Sequence, residues 1–81
     1  MRRIILDLYN YFDDIRKSSY ISVEINEDTL IESLIPRIQT LFQIGDNLSF
    51  TIDGHFISNL ENINMLKEKD VLKYITNIQV I

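Results

Sequence analysis

Apolar and polar residues alternate along Arg3–Tyr9, with Ile4, Leu6 and Leu8 in one set and Ile5, Asp7 and Tyr9 in the other. A period of two predicts a half-buried strand with the first set turned inward. Tyr20–Ile25 alternates again, placing Ile21, Val23 and Ile25 on one face and Ser22 and Glu24 on the other. The polar stretch Asn10–Ser19, which carries the aromatics Tyr11 and Phe12, reads as a long hairpin loop between the two strands.

The period then lengthens to that of a helix, through Leu30, Ile31, Leu34, Ile35, Ile38, Leu41 and Phe42. Taken alone, this spacing starts a helix near Asp28 or Thr29. Pro36 would then lie in the helix interior, where the lost hydrogen bond and the ring clash cost about 3 kcal/mol. In the first turn a missing N–H costs nothing, because that donor has no intrahelical partner. The predicted helix is therefore Leu34–Gln43, with Ser33 as N-cap, Thr29–Glu32 as a turn or loosely wound lead-in, and Gly45 as a left-handed stop.

Beyond it, Leu48–Ile52 alternates, Asp53-Gly54 follows, and His55–Ile57 is short and apolar. Asp-Gly between β-formers predicts a two-residue hairpin, because a type I′ turn needs positive φ at both central positions. Ser58–Asn64 reads as a polar loop carrying Leu60, Met65-Leu66 as a plug for the bottom of the core, and Lys67–Asp70 as a solvated turn. Val71–Ile75 is the last strand. Leu72 and Tyr74 face inward unless a bulge exchanges them with Val71 and Ile75. Asn77–Ile81 either extends this strand or frays. Strand, strand, helix, hairpin and strand, in that order, spell an α+β fold of ubiquitin-like β-grasp type, a mixed sheet of four to five strands packed on one helix.

Length permits a single domain over residues 1–81, since a chain of this size buries only about two-thirds of its unfolded surface. With 46% hydrophobic and 25% charged residues the composition is that of a self-folding globular domain, and without cysteine it depends on neither disulfides nor thiolate metal sites. Arg2-Arg3 before Ile4-Ile5-Leu6 imitates the start of a signal peptide, but Asp7, Asn10, Asp13 and Asp14 interrupt it, so neither export nor a membrane span is expected. Charge is uneven: +1 over residues 1–20 and −5 over residues 21–81. A basic face of at most four residues is too small to make direct nucleic-acid binding the expected role.

Candidate chemistry is sparse. His55 is the sole histidine and has Asp53 two residues earlier, but nothing in the sequence completes a relay around it, and it reads as an exposed hairpin residue. Asp13-Asp14 and Glu27-Asp28 lack the spaced ligands and the glycine of a calcium loop. No catalytic residue, cofactor or metal ligand is assigned, and no enzyme is expected. Asn77–Ile81 contains no Gly-Gly, and Thr51 stands two residues before Asp53 where ubiquitin presents an apolar patch. Neither conjugation nor reading by ubiquitin receptors is expected.

Leu6-Asp7-Leu8 with Asn10 and Phe12, then Leu34, Ile38-Gln39 and Leu41-Phe42, then Asp53-Gly54 and Lys69-Asp70-Val71-Leu72-Lys73, together resemble the N-terminal domain of coilin, particularly of the insect type. The resemblance spans roughly residues 4–75. Two features depart from it: Ser58-Asn59-Leu60 stands where the family often has prolines, and many members lack a proline at the position of Pro36. The resemblance implies the N-terminal part of a longer nuclear scaffold, a ubiquitin-like domain that associates with itself in building Cajal bodies. Other nuclear-body proteins are then further partners, and RNA contacts fall mainly to other regions.

Candidate contact residues follow from the strand pattern. Ile5 and Tyr9 belong to the outward set of the first strand, with Tyr11 and Phe12 just beyond; a β-grasp leaves that sheet face open, and a contiguous apolar patch there would be an association site. Arg2, Arg3, Arg16 and Lys17 are expected to gather at one end of the first hairpin, opposite acids such as Glu61, Glu68 and Asp70 on a neighbouring molecule. The alternative is a heterotypic adaptor that pairs its basic and acidic ends with another protein.

Overall fold

The computed structural model of the chain describes residues 1–45 and 48–76. Strands β1 (Arg2–Asp7), β2 (Ser18–Val23), β3 (Leu48–Ile52), β4 (His55–Ile57) and β5 (Val71–Thr76) form one sheet in the order β2-β1-β5-β3-β4. Helix α1 spans Leu34–Phe42. Strand β1 runs antiparallel to β2 and parallel to β5, and β3 is antiparallel to both β4 and β5. This is the mixed five-stranded sheet with one helix that the periodicities predict. The extension expected of Asn77–Ile81 lies outside the described residues.

Alternation decides the core. Ile4 and Leu6 of β1, Ile21 and Val23 of β2, Phe50 of β3, Ile57 of β4, and Leu72 and Tyr74 of β5 are buried on one face in a single cluster with Leu34 and Ile38 of α1. Leu72 and Tyr74 are inward as expected, so the last strand carries no bulge exchanging them with Val71 and Ile75. Tyr74 is the hub: its ring meets Phe50 at 5.1 Å and Tyr11 at 5.7 Å, both edge to face. Leu8 is buried although it lies one residue past β1, and Ile25, two past β2, is half-buried against the core.

Pro36 is the third residue of α1, inside the first turn. Ser33 flanks the helix as expected but does not cap it. Its backbone is already helical, at φ −63° and ψ −20°, and its side chain makes no capping hydrogen bond. A 3-10 turn over Ile31–Ser33 runs directly into α1, so the Ser33 N–H is taken by the Leu30 carbonyl at 3.0 Å and the Leu34 N–H by that of Ile31. A capping side chain would serve the N–H of the second or third helical residue, and the third is Pro36, which has none.

The stop is likewise displaced. Gln43, at φ 56°, takes the left-handed position, and the Ile44 N–H closes back on the Gln39 carbonyl at 3.1 Å. Gly45 lies outside the left-handed region. Turning two residues early puts Ile44 into the core, an apolar contact of the kind that accompanies such caps. The hairpin matches its prediction: Asp53 and Gly54 have φ of 53° and 80°. The plug does not consist of Met65 and Leu66, since Met65 is exposed. A 3-10 turn over Ile63–Met65 rotates Ile63 inward beside Leu66 instead.

Candidate interaction surface

Hydrogen-bond direction along β1 settles what the open face of the sheet presents. The Ile5 N–H donates to the Asp70 carbonyl at 2.9 Å, toward β5, whereas the Leu8 N–H donates to the Lys17 carbonyl at 2.8 Å, toward the β2 side. Ile5 and Tyr20, which face each other across β1 and β2, are therefore a non-hydrogen-bonded pair, the kind whose side chains come closest. On its other side Ile5 is aligned with Val71 of β5. Tyr20, Ile5 and Val71 thus form one row across three adjacent strands, with Tyr20 60% and Val71 45% exposed.

Charged groups border this row on both sides. Toward one end the Arg3 Nε lies 3.4 Å from Glu68 Oε1, and the Arg3 guanidinium stands 5.9 Å from the Tyr20 ring centroid. Toward the other, Asp7 is aligned with Lys73. An apolar centre with a polar rim is the anatomy of a protein-contact patch.

Tyr9 is not part of that row. It lies past the end of β1, 60% exposed, with the Lys17 ammonium 5.4 Å from its ring centroid. Tyr20 takes the place beside Ile5 that the sequence pattern suggested for Tyr9. Tyr11 and Phe12 turn back onto the body of the domain: Tyr11 packs against Tyr74, and Phe12 lies 6.2 Å from Phe42 at the end of α1, with the Arg16 guanidinium 4.1 Å from its ring centroid.

The four basic residues do not gather. The antiparallel register sets Arg2 opposite Val23 and Asp7 opposite Ser18. Arg2 and Arg3 consequently occupy the open end of the hairpin while Arg16 and Lys17 occupy its turn end, roughly 17 Å away at a strand's rise per residue. Each also has a partner within the chain. Arg2 Nη1 donates to the carbonyls of Asn64 and Leu66 at 3.2 and 2.5 Å, and Arg16 chelates Asp14.

Two of the three acids proposed opposite them are equally engaged. Glu68 accepts from both the main chain and the side chain of Arg3. Asp70 accepts from the Lys67 N–H at 2.8 Å and closes the turn that delivers β5 to β1. Glu61 is exposed beside the turn leading into α1, its carbonyl accepting from the Ile31 N–H at 2.8 Å. His55 is exposed at the start of β4.

Sheet edges complete the geometry. Since Ile5 bonds toward β5, the main-chain groups of its opposite number Tyr20, and of Ser18 and Ser22 in the same phase, point away from β1. Arg37 of α1 corroborates this direction by donating from Nη1 to the Ser22 carbonyl at 2.5 Å.

Comparison with known proteins places this geometry in a family. Residues 6–80 match the family described as Coilin N-terminus. No curated protein matches the chain. The match covers β2 to β5 and the last two residues of β1, together with α1 and the Asp53-Gly54 hairpin. The chain belongs to the coilin N-terminal family.

Proposed function

We propose that this domain is a non-catalytic self-association module which, as part of a coilin-type scaffold, contributes to the assembly of nuclear Cajal bodies. The observation that carries the reading is the apolar row Tyr20–Ile5–Val71 on the sheet face that α1 leaves open. Side chains held close together on paired strands lose little conformational freedom on contact, so their burial favours association more than that of scattered exposed residues would. Family membership supports the nuclear-scaffold setting. Partners other than a second copy fall to the same reading as further nuclear-body proteins.

Charge supports it less than the sequence pattern suggested. The Arg3–Glu68 and Arg16–Asp14 pairs are closed within one molecule, so head-to-tail attraction between copies would have to break or share them. Light scattering over a concentration series tests the proposal. The weight-average mass is expected to rise above that of the 9.6 kDa monomer as concentration increases. A mass that stays at the monomer value across the series overturns it and favours a heterotypic adaptor.

A further inference from the structure

We infer that β2 is a self-pairing edge: two copies of the domain join antiparallel through β2 about a two-fold axis at Tyr20. The inference rests on the self-association reading and adds to the open-face row the strand edge at which that row ends. Of the two edges of the sheet, β2 offers six residues and β4 three. Proteins ordinarily blunt an edge with proline, a bulge, or charges along the strand. The run Ser18-Ser19-Tyr20-Ile21-Ser22-Val23 has no proline and no charge, and it pairs with β1 residue for residue without a bulge. Arg37 bonds one of its outward carbonyls, that of Ser22, and a carbonyl keeps a second lone pair for another donor.

The register follows from which groups point outward. An axis at Tyr20 sets Tyr20 against Tyr20 of the second copy and Ser18 against its Ser22. All the outward-facing residues of β2 then become hydrogen-bonded pairs, each exchanging two main-chain bonds. This is strand addition with a second copy as the added strand.

Charge favours the same arrangement. Lys17 precedes β2 and Glu24 follows it, while Arg16 is closed on Asp14. Antiparallel pairing about Tyr20 brings Lys17 at the start of each strand toward Glu24 at the end of the other, twice over. Antiparallel pairing of β2 with β4 would instead bring Glu24 toward Asp53, which precedes β4, and like charges oppose it. The two-fold arrangement also continues the open-face row without a break, from Val71, Ile5 and Tyr20 of one copy to Tyr20, Ile5 and Val71 of the next. Such a contact is isologous and closes at a dimer.

The chain has no cysteine, so a single introduced thiol reports its own neighbours. In the proposed dimer the two Tyr20 Cα atoms stand about 5.5 Å apart, within disulfide range. Under mild oxidation Tyr20→Cys is expected to form a covalent dimer while Phe56→Cys, on the β4 edge, stays largely monomeric. Equal or faster cross-linking of Phe56→Cys overturns the inference.

A second variant, Tyr20→Pro, removes an N–H that serves the dimer and not the monomer. It is expected to weaken association about tenfold or more with the far-UV spectrum unchanged. A Tyr20→Pro chain that associates as the wild type does, alongside a Tyr20→Cys chain that fails to cross-link, overturns the edge while leaving self-association standing. A wild-type chain that remains monomeric at every concentration overturns both.

Discussion

Tyr11 meets Tyr74 edge to face, with ring centroids 5.7 Å apart and ring planes at 88°. The contact ties the loop after β1 to the buried centre of β5 and makes Tyr11 a stability residue. Tyr11→Ala is expected to lower the unfolding free energy by about 2 kcal/mol, from lost burial plus the aromatic pairing. Self-association measured well below the denaturation midpoint should be unchanged. Urea denaturation and light scattering on the same sample separate the two effects; weakened association with wild-type stability would return Tyr11 to the interaction surface.

The C-terminal end of α1 gives a prediction at each of two nearby residues, with glycine favoured at one and dispensable at the other. Gln43 is left-handed, where glycine is favoured, and Gln43→Gly is expected to stabilise by up to about 1 kcal/mol. A Cβ at Gly45 would meet nothing within 4 Å and its φ is not left-handed, so Gly45→Ala is expected to be neutral or to stabilise by about 0.4–1 kcal/mol. Denaturation midpoints check both, and a clear loss of stability in Gly45→Ala would mean that the stop lies at Gly45 after all.

Gly54 is the contrasting glycine. Its φ of 80° is required by the hairpin, although a Cβ there also meets nothing within 4 Å. Gly54→Ala is expected to cost about 1 kcal/mol from backbone strain alone. An unchanged midpoint would show that the turn relaxes to another type.

Strand periodicity made most of this architecture legible. Ile4, Leu6, Leu8, Ile21, Val23, Leu72 and Tyr74 were all assignable inward from alternation, and Pro36 alone was enough to place the start of α1. Register between strands was not legible in the same way. It depends on how many residues the loop after β1 consumes, and there Leu8 and Lys17 close the hairpin earlier than the polar stretch suggests. The shift put Tyr20 beside Ile5, whereas the separation of Arg2 and Arg3 from Arg16 and Lys17 follows from antiparallel pairing at any register, which sets strand start and loop at opposite ends. A trace of Tyr20's role was present, since it is an aromatic in phase with the outward Ser22 and Glu24. The left-handed Gln43 had no such trace, because what selects it is the burial of Ile44, a tertiary contact.

Asp14 supplies a pH-dependent test of the loop. Hydrogen bonds from the Arg16 side chain, and then from its main-chain N–H, lower the Asp14 pKa from 3.8 to about 2. A depressed carboxyl contributes stability that is complete above its unfolded value and is lost as pH falls through its folded one. The loop should therefore keep its Asp14–Arg16 contact down to about pH 2. A carboxyl-carbon NMR titration is expected to give a midpoint near this value in the wild type and a higher one in Arg16→Gln, which loses the side-chain bonds and keeps the main-chain one. An ordinary midpoint in the wild type would contradict the contact.

Sedimentation equilibrium of the wild type and of Tyr20→Ser, each at low and high salt, tests the central claim most directly. Tyr20 is exposed and pairs with Ile5 outside the core, so the substitution removes the end of the apolar row while leaving the buried cluster intact. The expected result is a wild type that associates at both salt concentrations and a Tyr20→Ser chain weaker by about tenfold or more, in keeping with the loss of one buried aromatic. Association that vanishes in high salt while Tyr20→Ser matches the wild type in low salt would contradict it, and would show that the exposed charges, rather than the Tyr20–Ile5–Val71 row, hold the copies together.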